Sequence, residues 1–201
     1  MRWAEPEGVA EVLPAQADVG TRVHEYGGGA YAVSSHGIVY ADRRTAQVWL
    51  LGPGGGASTF LAGAEGVRFA DLRFDPASPS VVAVREDHRV AGEPQSTLVA
   101  LGGGAGPEGL VLQHGADFYM SPTLSPDGAL LAWIEWDHPN MPWDSTRLCM
   151  GRVVRGADGT IAALEGVQVL AGGAGDESLV EPRWTVDGHL LVISDRSELW
   201  R

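Results

Sequence analysis

Two short stretches of this 201-residue chain concentrate side chains that could do chemistry. The first, His24-Glu25-Tyr26, sets an imidazole, a carboxylate and a phenol directly before Gly27-Gly28-Gly29. The second runs from Glu135 to Asp144 and carries carboxylates, His138, Asn140, Trp136 and Trp143, with Pro139 and Pro142 between them. Prolines narrow the loop's conformations, aromatic faces offer amphipathic contact area, and carboxylates attract a peptide amine. The same residues suit a long hairpin whose Trp side chains pack on the body of the fold and whose acids are solvated; both readings stay open. In the first stretch, three glycines fit a place where backbones crowd and Glu25 faces a cavity. A turn held by its own side-chain hydrogen bonds fits it equally. The candidate substrate contacts are therefore Glu25, Tyr26, Asp137, His138, Asn140 and Trp143.

Other reactive residue types lack a reactive setting. Ser34, Ser35, Ser58, Ser121 and Ser125 all fall in turn contexts, and no Gly-x-Ser-x-Gly elbow, the strand-to-helix turn that exposes a nucleophilic Oγ, occurs in the chain. No catalytic residue is expected. His24-Glu25, Asp87-His88 and Asp137-His138 put ligand types side by side, but neighbours on a strand point to opposite faces, so neither a metal site nor a cofactor is expected. The glycine-rich stretches lead into no helix that could hold a phosphate and read as exits from strand units. Cys149, the single cysteine, sits in the apolar run Leu148-Cys149-Met150 and reads as a small core hydrophobe.

The elements that must position these residues repeat. Leu124-Ser125-Pro126-Asp127-Gly128 followed by Ala129 to Trp133 returns as Trp184-Thr185-Val186-Asp187-Gly188 followed by His189 to Ile193, and a looser copy begins at Phe74-Asp75-Pro76. Each copy is a strand end, a tight turn and an apolar strand, so the chain repeats one all-β unit that must stack on neighbours to exclude water. The expected fold is a fragment of a β-propeller, about four blades of antiparallel sheet, at roughly 21–56, 67–104, 117–173 and 180–201. Each unit reads as three strands and a glycine-rich exit. Residues 1–20 form an N-terminal segment in which Val9 to Leu13 would serve as a strand closing a four-bladed ring. The alternative is an open arc that associates with itself through an unpaired strand edge. With 28 Gly and 12 Pro, no Gly- and Pro-free interval exceeds 14 residues, which excludes long helices.

Charge narrows the function classes. The net charge is -12, with 26 acids against 14 Arg and no Lys, a field that repels nucleic acid. No stretch has the length of a signal peptide's apolar region or of a membrane span, so the expected location is the cytoplasm, without membrane attachment.

Three stretches resemble one family: Arg22 to Tyr31, Trp136 to Asp144, and Glu177 to Trp184 leading to Ser194-Asp195-Arg196. They look like the N-terminal β-propeller of prolyl oligopeptidase family serine peptidases, in the acylaminoacyl peptidase and dipeptidyl aminopeptidase-like branch. The resemblance covers roughly residues 20 to 201, and Asp137-His138-Pro139-Asn140-Met141-Pro142-Trp143-Asp144 is its most specific part. It implies a propeller that caps an α/β-hydrolase domain, whose Ser, Asp and His are absent here, and gates short or unfolded peptides by size. Its expected partners are a peptide and a hydrolase domain or subunit, and this chain alone is expected not to hydrolyse peptides. The alternative function is a stand-alone four-bladed module that binds a protein or peptide.

Overall fold

The computed structural model describes residues 11–175 and 177–201. Fourteen strands form four antiparallel meanders among the described residues. The first sheet holds β1 (Tyr31–Ser34), β2 (Gly37–Ala41), β3 (Val48–Leu51) and β4 (Thr59–Ala62). The second holds β5 (Val67–Phe74), β6 (Val81–Asp87), β7 (Gln95–Leu101) and β8 (Leu110–Gln113). The third holds β9 (Phe118–Leu124), β10 (Leu130–Trp136), β11 (Arg147–Arg155) and β12 (Ile161–Gly172), and the fourth pairs β13 (Leu179–Trp184) with β14 (Leu190–Ser194). In every sheet spatial order equals chain order. The opening strands pack in series, β1 on β5, β5 on β9 and β9 on β13, so the sheets fan about an axis as propeller blades.

Side-chain alternation explains why blades stack rather than stand alone. Along β6, Val81 and Ala83 join the core shared with the first sheet, while Val82 and Val84 join the core shared with the third. Along β10, Leu131 and Trp133 face the second sheet; Ala132, Ile134 and Trp136 face Leu179, Trp184 and Leu190 of the fourth. Both faces are dry, so β6 and β10 read as continuous apolar runs instead of alternating ones. Cys149 lies in the core between the second and third sheets, where burial pushes its thiol up to about 12.

The repeated phrases are the turns joining the first two strands of the later blades. Ser125 N–H bonds Leu130 O at 2.9 Å, Gly128 N–H bonds Ser125 O at 2.8 Å with Gly128 at φ 68°, and Asp127 accepts from Ser125 Oγ and Ala129 N. Thr185 to His189 repeats the pattern. Asp75, in the looser copy, reaches 80 residues ahead to Arg155, whose guanidinium pairs with it at 2.6 Å and also donates to Gly128 O. One carboxylate thus ties the second blade to the third.

Three differences from the sequence reading stand out. The first two sheets have a fourth strand beyond the glycine-rich stretch at which the unit seemed to end, so Gly52 to Gly56 and Gly102 to Gly106 are turns within a blade. Second, Ser121 sits within β9 at φ 51°, not in a turn. It shares this irregularity with Asp71 of β5 at 54° and Glu181 of β13 at 53°, each at a bulge in the innermost strand. The Asp71 carboxylate accepts Gly29 N–H at 2.6 Å and Ser121 N–H at 2.7 Å, linking the inner edges of three blades. Third, of the segment expected to close a ring, Val9 and Ala10 lie outside the described residues and Glu11 to Leu13 form no strand. The residues after them run along the first sheet, where Val19 bridges to Asp42 and Gly20 N–H bonds Ala41 O.

Candidate functional site

Both stretches that opened the sequence reading meet at the end of the blades opposite the repeated turns. Arg22 to Gly27 forms a compact turn: Glu25 N–H bonds Arg22 O, Gly27 N–H bonds Val23 O, and His24 and Glu25 take φ of 55° and 63°. Glycine follows because β5 crowds the backbone: a Cβ on Gly28 would lie 3.0 Å from Ala70 Cβ and from Asp71 Oδ1. The turn is pinned from the second blade, where Glu86 Oε1 accepts His24 N–H at 2.6 Å and Arg68 pairs with Glu25 at 2.7 Å. The Arg68 hydrogen bond and charge hold the Glu25 carboxyl below its ordinary value.

Beside this turn lies a cleft of about 240 Å³ lined by His24, Glu25, Tyr26, Glu86, His88, Glu93, Pro94, Phe118, Trp136, Met141 and Pro142. Its floor is aromatic. Phe118 stacks on Trp136 with centroids 5.0 Å apart, and the His24 ring meets Phe118 at 5.7 Å, Trp136 at 5.4 Å and Tyr26 at 5.6 Å. The His24 side chain is almost wholly buried, and burial lowers its pKa against the opposing pull of Glu86 and Asp71. Tyr26 projects outward, 67% exposed, and Met141 stands on the rim.

The structure brings together only some of the expected contacts. Glu25 and Tyr26 line the cleft, whereas Asp137, His138, Asn140 and Trp143 do not. Asp137 accepts Asp117 N–H at 3.0 Å and pairs with Arg147 at 2.8 Å; with Asn140 it lines a second hollow against Gly173 to Gly175. His138 packs its ring on Phe118 at 4.8 Å and bonds Asp117 through Nδ1 at 3.1 Å. Trp143 is 61% exposed and stands clear of the cleft lining. The loop instead contributes Trp136, Met141 and Pro142, held in place by Met141 N–H on Asp144 Oδ2 and by Ser178 Oγ donating to Pro142 O.

Sequence reasoning missed Glu86, Glu93, Pro94 and Phe118. The only signal for Glu86 was that Arg85-Glu86-Asp87 ends an apolar strand in charge, a pattern that ordinarily marks a strand running into solvent. Among the described residues no group of three or more His, Cys, Asp or Glu side chains is arranged to hold a metal ion.

Solved structures share this architecture. A puromycin-hydrolyzing peptidase of Mycobacterium tuberculosis is 32% identical with a TM-score of 0.78, over 95% of this chain and 31% of its own. A puromycin hydrolase, also solved as a mutant complexed with PGG, is 29% identical with a TM-score of 0.78, over 94% of this chain and 31% of its own. The chain is a β-propeller portion of the prolyl oligopeptidase type. This propeller spans about a third of the length of the peptidases it matches. No family model and no curated protein matches it. Among its described residues, no helix is long and apolar enough to cross a membrane.

Proposed function

We propose that this propeller is a non-catalytic, substrate-gating portion of a peptide-cleaving serine hydrolase of the acylaminoacyl or dipeptidyl aminopeptidase-like branch. Its partners on this reading are a peptide and the hydrolase domain or subunit, and its compartment is the cytoplasm, where a lone buried thiol such as Cys149 is at home. The supporting observation is the convergence of the Arg22 to Gly27 turn and the Glu135 to Asp144 loop on one cleft at one end of the blades. Both belong to the stretches that resemble the family, and a rigid scaffold presenting such loops suits recognition rather than bond cleavage. The described serines support the same view: Ser125 and Ser78 hold turns, and Ser121 is fixed within the β9 bulge.

The test is incubation of the purified chain with acylated and free-amine chromogenic peptides. We expect no turnover, and short unstructured peptides should perturb Tyr26, Trp136 and Met141. Reproducible turnover abolished by a serine-directed reagent would overturn the non-catalytic reading. Peptides that leave those three residues untouched would overturn the assignment of the cleft.

A further inference from the structure

Asp71, at the inner edge of the second blade, uses both of its carboxylate oxygens. Oδ1 accepts the Gly29 N–H at 2.6 Å and Oδ2 the Ser121 N–H at 2.7 Å. Gly29 precedes β1 and Ser121 lies at the bulge of β9, so neither residue is paired in a sheet register. Asp71 sits at a bulge of its own, which turns it out of the β5 ladder. The glycines leave the room into which the carboxylate reaches: a Cβ on Gly29 would lie 3.0 Å from Asp71 Oδ1 and 3.3 Å from Asp71 Cα.

The two donors belong to two different walls of the cleft. Gly29 ends the segment whose turn, Arg22 to Gly27, supplies His24 and Tyr26. Ser121 follows Phe118 along β9, and the Phe118 ring meets the His24 ring at 5.7 Å. Asp71 itself does not line the cleft. Its charge nevertheless reaches one wall, since burial first and Asp71 next raise the Tyr26 hydroxyl. Arg68 and Glu86 also grip the entry turn, but neither hydrogen-bonds to the third blade. Among the described residues, Asp71 is the one side chain of the second blade that hydrogen-bonds to both the first blade's entry and the third blade. A planar carboxylate fixes its two acceptors relative to each other, so it holds its two donors at a set spacing.

We infer that Asp71 is a positioning residue for the cleft: by holding the entry turn and β9 on one carboxylate, it sets the distance between the wall of His24 and Tyr26 and the wall of Phe118. This rests on reading the cleft as the substrate-contacting face, and it names the group that shapes that face before a peptide arrives. Asparagine keeps the outline of the side chain and loses this capacity. One oxygen becomes an amide group that donates, so one of the two N–H groups faces another donor and its wall is released.

The experiment compares the isotope-labelled parent chain with Asp71→Asn and with Asp75→Asn, a carboxylate variant at the opposite, repeated-turn end of the blades. NMR follows the contact between the His24 and Phe118 rings, and titration with the tripeptide alanyl-phenylalanyl-alanine follows the Trp136 indole. In Asp71→Asn the ring contact should be lost and peptide binding should weaken about tenfold. In Asp75→Asn both should persist while the urea midpoint falls. A ring contact kept in Asp71→Asn, or lost equally in the two variants, overturns the inference. A peptide that leaves Trp136 of the parent chain untouched overturns the reading of the cleft, and the ring contact still decides the role of Asp71. Should either variant fail to fold, mild urea on the unaltered chain decides: the Gly29 and Ser121 amides should lose exchange protection together with the ring contact, and a contact that outlasts their protection overturns the inference.

Discussion

At the scale of single residues, Asp75 is the most deeply buried carboxylate in an ion pair among the described residues, and its partner is Arg155. Burial alone would raise the Asp75 pKa, yet hydrogen bonds from Arg155, Ser78 and the Ala77 amide prevail and hold it below its ordinary value. Asp87, gripped by Arg89, is held down to about 2. A carboxyl whose folded pKa is depressed adds stability above its unfolded pKa of about 3.9 and loses it as pH falls through the folded value. Urea midpoints should therefore fall as pH drops from about 4 towards 2, and Asp75→Asn should fall less steeply than the parent chain. Arg155→Ala, which leaves a fully buried carboxylate unpaired, should cost about 3–5 kcal/mol at neutral pH; a loss below about 1 kcal/mol would show that water replaces the guanidinium. The sequence made Asp75 legible as a turn residue. Nothing in it announced a partner 80 positions away, because only blade stacking brings them together.

At the scale of elements, β10 carries the inter-blade cores on both of its faces. Trp133→Ala, which empties the space between the second and third sheets, should cost about 3–5 kcal/mol in chemical denaturation. Trp143→Ala, at an exposed position of the neighbouring loop, should change stability by less than about 0.5 kcal/mol. Equal losses would contradict the packing described. Central strands were legible because both of their faces must be apolar. The outer strands were not: β4 and β8 hold four residues each, sit at sheet edges and follow glycine-rich turns that resemble endings. The inner bulges at Asp71, Ser121 and Glu181 were hidden as well, since left-handed backbone at a non-glycine residue is imposed by neighbouring blades rather than by local propensity.

At the scale of the whole molecule, stability should be graded from blade to blade. The second and third sheets are covered on both faces, whereas β13 and β14 form a two-stranded sheet on which Leu191 is 57% exposed. Local opening follows contact density, so native-state hydrogen exchange should release β13 and β14 first and β6 and β10 last. Uniform protection across all four sheets would refute this gradient.

What the chain determines by itself is the unit: turns set by Ser-Pro-Asp-Gly chemistry, apolar strands between them, and glycine where backbone must reverse. These are local consequences of side-chain shape and hydrogen bonding, readable without a partner. The candidate cleft is of another kind. His24 and Tyr26 come from the first blade's entry, Glu86 from the second blade, and Phe118, Trp136 and Met141 from the third. Only the rotation between successive blades brings them within reach of one another. Glu86, which looked like the wet end of a strand, became a buried acceptor of the His24 N–H for that reason, and burial is a property no stretch of sequence carries alone.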